Sequence, residues 1–146
     1  MAELFILAFL GHLIGEYLLQ PTWMAIGKSK KGVEGVGICT VHVTFYSTAV
    51  MVMLLASDRV YLSADADGKG VILLLLIAIP HFIIDHWQLG EKWSKLIGGR
   101  TVEKTLVAKP GVEREFAFAF YAPVYIAVDN TWHLLCLLAA IKYFFQ

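Results

Sequence analysis

Three pairs of a histidine and a carboxylate, each four residues apart, lie within the apolar part of this sequence. The pairs are His12/Glu16, His81/Asp85 and Asp129/His133. Residues four apart in an α-helix share a face and lie about 6 Å apart along the axis, so the two members of a pair can act together. Imidazole and carboxylate groups bind first-row transition metals and also transfer protons. The spacing therefore predicts a metal site or a proton relay.

The composition indicates that these pairs lie in a membrane. Of 146 residues, 58% are hydrophobic and 16% are charged, whereas roughly a quarter are charged in soluble domains. Four apolar stretches, at about 4–20, 36–56, 70–88 and 124–145, approach the ~20 residues that a bilayer core requires. We predict an all-α, multi-pass four-helix bundle in the cell (inner) membrane, forming a single transmembrane domain over 1–146. Ionisable groups at that depth are functional by default.

The basic residues predict the orientation of the helices. Predicted loops one and three carry nine of them, and the opposite side carries three. The first set is Lys28, Lys30, Lys31, Lys92, Lys95, Arg100, Lys104, Lys109 and Arg114, and the second is Arg59, Lys69 and Lys142. By the positive-inside rule, both termini are extracytoplasmic. Loop three, about 89–123, opens with tryptophans and lysines whose spacing suits a short interfacial helix, and Pro123 is expected to begin the fourth helix.

With this orientation, the polar pairs fall in one layer. Helices one and three run toward the cytoplasm with the histidine first, and helix four runs back with the acid first, so every carboxylate lies nearer the cytoplasmic face. His42, about six residues into helix two, lies at the same depth. Because the predicted spans contain no Lys or Arg at the depth of the polar layer, Lys142 being near the far end of helix four, we expect protonated acids, imidazolium ions or bound cations to compensate the carboxylates.

A divalent metal ion satisfies both types of ligand at once. The candidate ligands are His12, His42, His81, His133, Glu16, Asp85 and Asp129. We favour the three paired histidines, with His42 as a fourth ligand, and expect the carboxylates to complete the coordination or to act as a general base. Zinc is favoured, manganese and iron are alternatives, and one or two ions would fit. Gln20 and Asn130 are further polar residues of this site.

Two other features of the apolar stretches concern packing. Gly11 and Gly15 form a GxxxG pair beside His12 and Glu16, which predicts a close approach by another helix. His86 points about 100° away from Asp85 on an ideal helix. We therefore interpret His86 as an interfacial side chain outside the site.

These residues are also the ones that carry a family resemblance. The chain resembles a family of small bacterial and phage multi-helix membrane proteins that is classed as a domain of unknown function, over nearly its whole length. The matching segments are HLIGEYLLQ, with His12, Glu16 and Gln20 followed by Trp23; His42; HFIID, with His81 and Asp85; and DNTWH, with Asp129 and His133. Members usually have Asp at the position of Glu16 and Gln at that of Asn130. The resemblance implies the architecture and the polar constellation, without a reaction.

Three functions remain open on the sequence alone. The leading hypothesis is a metal-dependent hydrolase with a site near the cytoplasmic face, acting on a membrane lipid or another amphipathic substrate. The second is a proton or metal-ion transporter or channel. The third is a non-enzymatic interaction protein that uses Lys92, Lys95 and Arg100 of loop three. Nucleic acid is excluded as a partner because the basic residues are dispersed and balanced by acids. A homo-oligomer is left open.

Overall fold

The computed structural model describes residues 1–57, 68–98 and 111–145. Within these ranges all regular structure is helical, so the predicted all-α fold is confirmed there. The helices are α1 (Ala2–Leu13), which continues into a π-helical segment (Ile14–Leu18), α2 (Thr22–Gly27), α3 (Gly32–Leu55), α4 (Lys69–His86), α5 (Leu89–Gly98) and α6 (Val112–Phe144).

Three of these helices are long and apolar enough to cross a membrane. They are α3, α4 and the part of α6 at Ala119–Phe144. The first predicted span corresponds to α1 and the π-helical segment, which together cover residues 2–18. The short helix predicted at the start of loop three is present as α5.

The predicted start of the fourth helix at Pro123 is wrong. Helix α6 begins at Val112 and continues through Pro123 to Phe144. A proline inside a helix loses one backbone hydrogen bond, but its fixed φ is a helical value, and membrane helices tolerate such positions because nearby groups satisfy the freed carbonyl. The predicted loop at 89–123 therefore contains α5 and the first three turns of α6. Arg59, Arg100, Lys104 and Lys109, which contribute to the predicted orientation, lie outside the described residues.

Helix α1 and the π-helical segment pack against α3 through Gly11 and Gly15. A Cβ atom on Gly11 would lie 2.6 Å from the Cα of Val50, and one on Gly15 would lie 2.9 Å from the Cα of Tyr46. Any larger residue would force the two backbones apart. The close helix approach predicted from the GxxxG pair is thus confirmed, and it brings Glu16 next to α3.

The core of the bundle is apolar away from the polar pairs. Helices α1, α3, α4 and α6 all contribute to it, with Leu4, Ala8, Tyr46, Val50, Leu54, Leu73, Ile77, Leu137 and Ile141. Large apolar side chains also cover the outward faces, among them Phe45, Val52, Val71 and Leu135. Such a surface is costly in water and is expected for helices that contact lipid.

A Gly11→Ala substitution tests the α1–α3 contact. The added methyl group meets backbone atoms of α3, so we expect a loss of about 1–3 kcal/mol in the free energy of unfolding in detergent. Gly37→Ala is the matched control, because a Cβ at Gly37 meets no atom within 4 Å and alanine is the better helix former. Equal stability of the two variants would contradict the close packing.

Candidate metal centre

Glu16 reaches the centre of the bundle from the π-helical segment. The N–H of Leu19 donates to the carbonyl of Ile14 at 3.0 Å, five residues back. This wider turn rotates the side chains that follow it relative to an ideal α-helix, and such turns occur often at functional sites. As a result, His12 and Glu16 have different neighbours: His12 contacts α6, and Glu16 contacts His42 of α3.

Four side chains converge in what we call the four-residue group: Glu16, His42, His81 and Asp85. Nε2 of His42 lies 2.9 Å from Nε2 of His81 and 3.0 Å from Oδ2 of Asp85. Nε2 of His81 lies 3.1 Å from the same Asp85 oxygen. Oε2 of Glu16 lies 3.2 Å from Nε2 of His42 and 3.5 Å from that of His81. The two histidines and Asp85 are buried, so the group could hold a metal ion.

A second cluster, the three-residue group, shares Asp85 with the first. It contains Asp85, Asp129 and His133. Nε2 of His133 lies 3.4 Å from Oδ1 of Asp85 and 3.5 Å from Oδ2 of Asp129. Asp85 therefore presents one carboxylate oxygen to each group. The two groups together contain six of the seven predicted metal ligands.

The seventh, His12, lies beside the groups and has other partners. Its Nε2–H donates to Oδ1 of Asn130 at 2.7 Å, and its Nδ1 accepts from the hydroxyl of Tyr46 at 3.2 Å. The amide of Asn130 in turn donates to the hydroxyl of Tyr17. With both ring nitrogens engaged, His12 holds α1, α3 and α6 together next to the site.

Lys28 compensates two of the carboxylates, which the sequence did not lead us to expect. Its ammonium nitrogen lies 2.8 Å from Oε1 of Glu16 and 2.9 Å from Oδ2 of Asp85. Burial opposes the charged form, but the carboxylates of Asp85 and Glu16 outweigh it and raise the pKa of Lys28 above its ordinary value. The expectation that no basic side chain would serve this purpose is wrong, because a lysine outside the predicted spans can reach into the bundle.

Two polar side chains support this arrangement from its edges. The amide nitrogen of Gln20 lies 2.9 Å from Nδ1 of His42. Nδ1–H of His86 donates to the backbone carbonyl of Lys28 at 3.1 Å and so helps to hold the Lys28 backbone against α4. His86 itself is outside both groups, as we predicted from its direction on the helix.

Tyr46 separates the polar groups from the apolar core. Its ring stacks on the imidazole of His81, with ring centroids 3.5 Å apart and an interplanar angle of 19°. Tyr46 is fully buried and is itself a member of the core cluster. The polar layer therefore ends at this ring.

A cavity of about 240 Å³ opens beside the two groups. Its lining includes Glu16, Asp85, Asp129 and Lys28 together with Tyr17, Gln20, Ala25, Ser29, Gln88, Tyr125, Ile126 and Asn130. A Cβ on Gly90 would lie 2.7 Å from Oδ1 of Asp129. Helix α5 therefore packs directly against this carboxylate and limits where it can move.

Several buried polar atoms of the site make no hydrogen bond of good geometry in the described part of the chain, although Oε2 of Glu16 and Nε2 of His133 lie 3.2–3.5 Å from other members of the two groups. They are Oε2 of Glu16, Nδ1 of His81 and both ring nitrogens of His133. Such atoms are rare in folded proteins because each one costs desolvation free energy. Two of them, Oε2 of Glu16 and Nε2 of His133, lie within the groups themselves. A carboxylate oxygen and an imidazole nitrogen at these points are suitable ligands for a bound cation.

The family relationship can be tested against this geometry. The family described as "Protein of unknown function (DUF3307)" matches residues 4–146, a range that contains every residue of both groups. The chain belongs to DUF3307. No curated protein and no solved structure matches it. Membership in DUF3307 confirms the resemblance to a family of unknown function and assigns no activity.

In this DUF3307 chain, two contributors to the site were missed from the sequence. Tyr46 lies four residues after His42 on α3, so the helical spacing used for the pairs would have identified it. Lys28 has no such signal, because nothing in the sequence distinguishes it from Lys30 and Lys31 in the same predicted loop.

Replacement of Lys28 tests its role in charge compensation. In chelator-treated protein, Lys28→Met leaves Glu16 and Asp85 without their ammonium partner, and we expect a loss on the order of 3 kcal/mol in the free energy of unfolding. Lys30→Met is the matched control: Lys30 pairs with Glu34, but these side chains are 49% and 65% exposed, so the loss should be below about 1 kcal/mol. Similar losses in the two variants would contradict the role of Lys28.

Proposed function

We propose that this protein is a membrane-embedded, metal-dependent hydrolase that acts on a lipid or another amphipathic substrate. The observation that carries the proposal is the four-residue group. Five distances between its donor atoms lie between 2.9 and 3.5 Å. Tetrahedral coordination at bond lengths of 2.0–2.1 Å places neighbouring ligands about 3.3 Å apart. Five of the six distances among the donor atoms are thus within about 0.4 Å of this spacing, which supports a bound first-row metal ion.

The charges around the cavity support a divalent ion. Glu16, Asp85 and Asp129 supply three carboxylates, and Lys28 supplies one ammonium group. Two negative charges remain when the histidines are neutral, which equals the charge of one divalent cation. Without such an ion, the excess charge would be costly in a low-dielectric bundle.

Gln20 can hydrogen-bond His42 in the protonation form that binds a metal ion. Metal binding at Nε2 requires a proton on Nδ1, and that proton needs an acceptor. The Gln20 amide already lies at Nδ1. If this amide group is flipped, its oxygen lies there instead of its nitrogen and accepts the proton of Nδ1. Gln20 would thereby fix the orientation of the His42 ring.

The donor set favours zinc, with manganese and iron as alternatives. A divalent ion supplies Lewis acidity, which polarises a carbonyl or phosphoryl oxygen and favours attack by water at neutral pH. His42, His81 and Asp85 would hold it from the buried side. Glu16, which also lines the cavity, would be the ligand on the substrate side.

Asp129 is the best placed general base. It lines the cavity, is more exposed than Glu16 and Asp85, and has no contact with Lys28 like theirs. Its carboxylate would accept a proton from the attacking water. The imidazole of His133 beside it would stabilise the protonated carboxyl group. In the hydrolysis, the water oxygen bonds to the carbonyl carbon or phosphorus, the bond to the leaving oxygen breaks, and that oxygen takes up a proton.

The membrane arrangement belongs to the same proposal. Helices α3, α4 and α6 cross the bilayer, and α1 with the π-helical segment forms the fourth, shorter span, since ~17 residues are near the lower limit for spanning. Both termini are extracytoplasmic, and the site lies near the cytoplasmic face. Helix α5 lies at the interface, where Trp93, Leu96 and Ile97 are exposed.

The apolar core favours hydrolysis over transport. Tyr46 closes the polar layer on one side, and beyond it the core cluster is formed by aliphatic side chains such as Leu54 and Ile141. A permeation path would need polar groups or water through this region. A transporter would have to open the core at this level.

Metal binding and hydrolysis can be separated by three variants. With zinc alone as the probe, equilibrium dialysis should show about one tightly bound ion per wild-type chain and at least a tenfold loss of affinity in His81→Ala. His12→Gln is the matched control, because His12 lies in the same region but outside both groups, and it should bind zinc like the wild type. Asp129→Asn should keep the ion in the four-residue group and lose hydrolysis of fluorogenic lipid esters in mixed micelles.

Two outcomes would defeat the proposal. One is wild-type protein that hydrolyses the fluorogenic lipid esters equally well after complete removal of metal. The other is a His81→Ala variant that binds zinc as tightly as His12→Gln. Ion flux in proteoliposomes that His81→Ala abolishes would instead favour transport.

A further inference from the structure

The cavity beside the metal centre is lined by buried or partly buried charged groups and by exposed side chains. Its floor is formed by the carboxylates and Lys28, and its outer lining includes Tyr17 of the π-helical segment and Ile126 of α6. These two side chains are 50% and 45% exposed. A ligand with its polar end in the cavity could therefore leave its apolar part between α6 and the π-helical segment, in contact with lipid.

A hydrogen bond between Tyr17 and Asn130 joins the π-helical segment to α6 at the cavity. Asn130 of α6 donates to the hydroxyl of Tyr17 and, through its oxygen, accepts from His12. Both residues line the cavity. A ligand that enters between the two helices would have to displace Tyr17, while His12 keeps Asn130 in position.

The cavity also presents hydrogen-bond donors that no protein group uses. Within the described residues, the side chains of Ser29, Gln88 and Tyr125 line the cavity and make no hydrogen bond. Lys28 makes two short contacts with carboxylates, and its remaining donor has only Nε2 of His42 at 3.5 Å. A metal ion on Nε2 of His42 would remove that acceptor and leave the third N–H of Lys28 for a ligand.

Gln88 reaches the cavity from the turn between α4 and α5. It is the one non-glycine residue of the described chain with a positive φ, at 50°. It follows the last turn of α4, where a left-handed residue commonly ends a helix, and glycine adopts this conformation at a cost about 1 kcal/mol lower. This turn brings Gln88 to the cavity lining.

We propose that the cavity binds the phosphate group of a phosphorylated lipid, with Lys28 as its anchor and Ser29, Gln88 and Tyr125 as further donors. This inference rests on the proposed function, because the bound cation must first neutralise the carboxylates in the floor. A phosphate has several acceptor oxygens and matches a set of donors around a cation. Hydrolysis would join the water oxygen to phosphorus, break the bond from phosphorus to the lipid oxygen and protonate that oxygen, which releases inorganic phosphate and a lipid alcohol.

Native mass spectrometry of the full chain in a non-ionic maltoside detergent tests this, because one spectrum reports bound zinc and bound lipid together. The zinc-loaded protein and each variant carry Asp129→Asn, which keeps the ion and prevents hydrolysis of bound lipid, and they are titrated separately with phosphatidic acid, diacylglycerol and inorganic phosphate. We expect phosphatidic acid to bind at least tenfold more tightly than diacylglycerol, and inorganic phosphate to bind weakly at the same site, since it lacks the apolar part.

Three variants locate the phosphate group. Lys28→Met should weaken phosphatidic acid binding about tenfold, because a charge-assisted hydrogen bond is lost. Gln88→Gly should weaken it about threefold, and it cannot be dismissed as unfolded, because glycine relieves the backbone strain. Lys30→Met is the control and should bind like the protein with Asp129→Asn alone.

Each outcome decides between the two proposals. Asp129→Asn protein that carries zinc but binds diacylglycerol as well as phosphatidic acid would overturn the phosphate inference and leave the metal centre standing. Unchanged binding in both Lys28→Met and Gln88→Gly would overturn it as well. Phosphatidic acid binding that depends on Lys28 but not on zinc would overturn the inference, because no cation would then be needed to neutralise the floor, and zinc seen in the same spectra would leave the metal centre standing. Absence of both zinc and lipid would overturn both.

Discussion

The meeting of three carboxylates between the helices, with Asp85 buried and Glu16 and Asp129 partly buried, is the constraint on which the site depends. Glu16, Asp85 and Asp129 come from three different helical segments, and Lys28 contacts two of them. One ammonium group cannot neutralise three ionised carboxylates, so the remaining charge must be balanced by a proton on an acid, by an imidazolium ion of a neighbouring histidine or by a bound cation. Proteins that maintain such an arrangement generally use it, because replacement of the buried acids by apolar residues would be more stable.

The packing of the helices is what makes this arrangement rigid. Gly11 and Gly15 let α1 approach α3, and the π-helical turn then directs Glu16 toward His42. Gly90 has a similar effect at Asp129, because the absence of a side chain allows α5 to contact that carboxylate directly. Small residues thus lie next to the charged groups on both sides, and the ligand atoms are held by backbone contacts as well as by their own hydrogen bonds.

Much of the site could be anticipated because helical periodicity is regular. The spacing of His81 and Asp85 places both on one face, and the reversed order of Asp129 and His133 matches an antiparallel helix. The surroundings of His12 could not be anticipated in this way, since the π-helical turn and the distant Asn130 give it different partners from Glu16. Lys28 was missed for a similar reason: a contact made by a residue between helices depends on the path of the chain in space. The continuation of α6 through Pro123 shows that a proline does not end a helix when the residues on both sides of it are helical.

X-ray absorption spectroscopy of the zinc-loaded protein at the zinc edge tests the central claim most directly, because it reports the atoms that bind the ion. The account predicts a four-coordinate site with imidazole and carboxylate ligands at about 2.0–2.1 Å, and loss of the imidazole scattering in a variant with both His42 and His81 replaced. A spectrum with oxygen ligands alone, or one that this double replacement leaves unchanged, would contradict it.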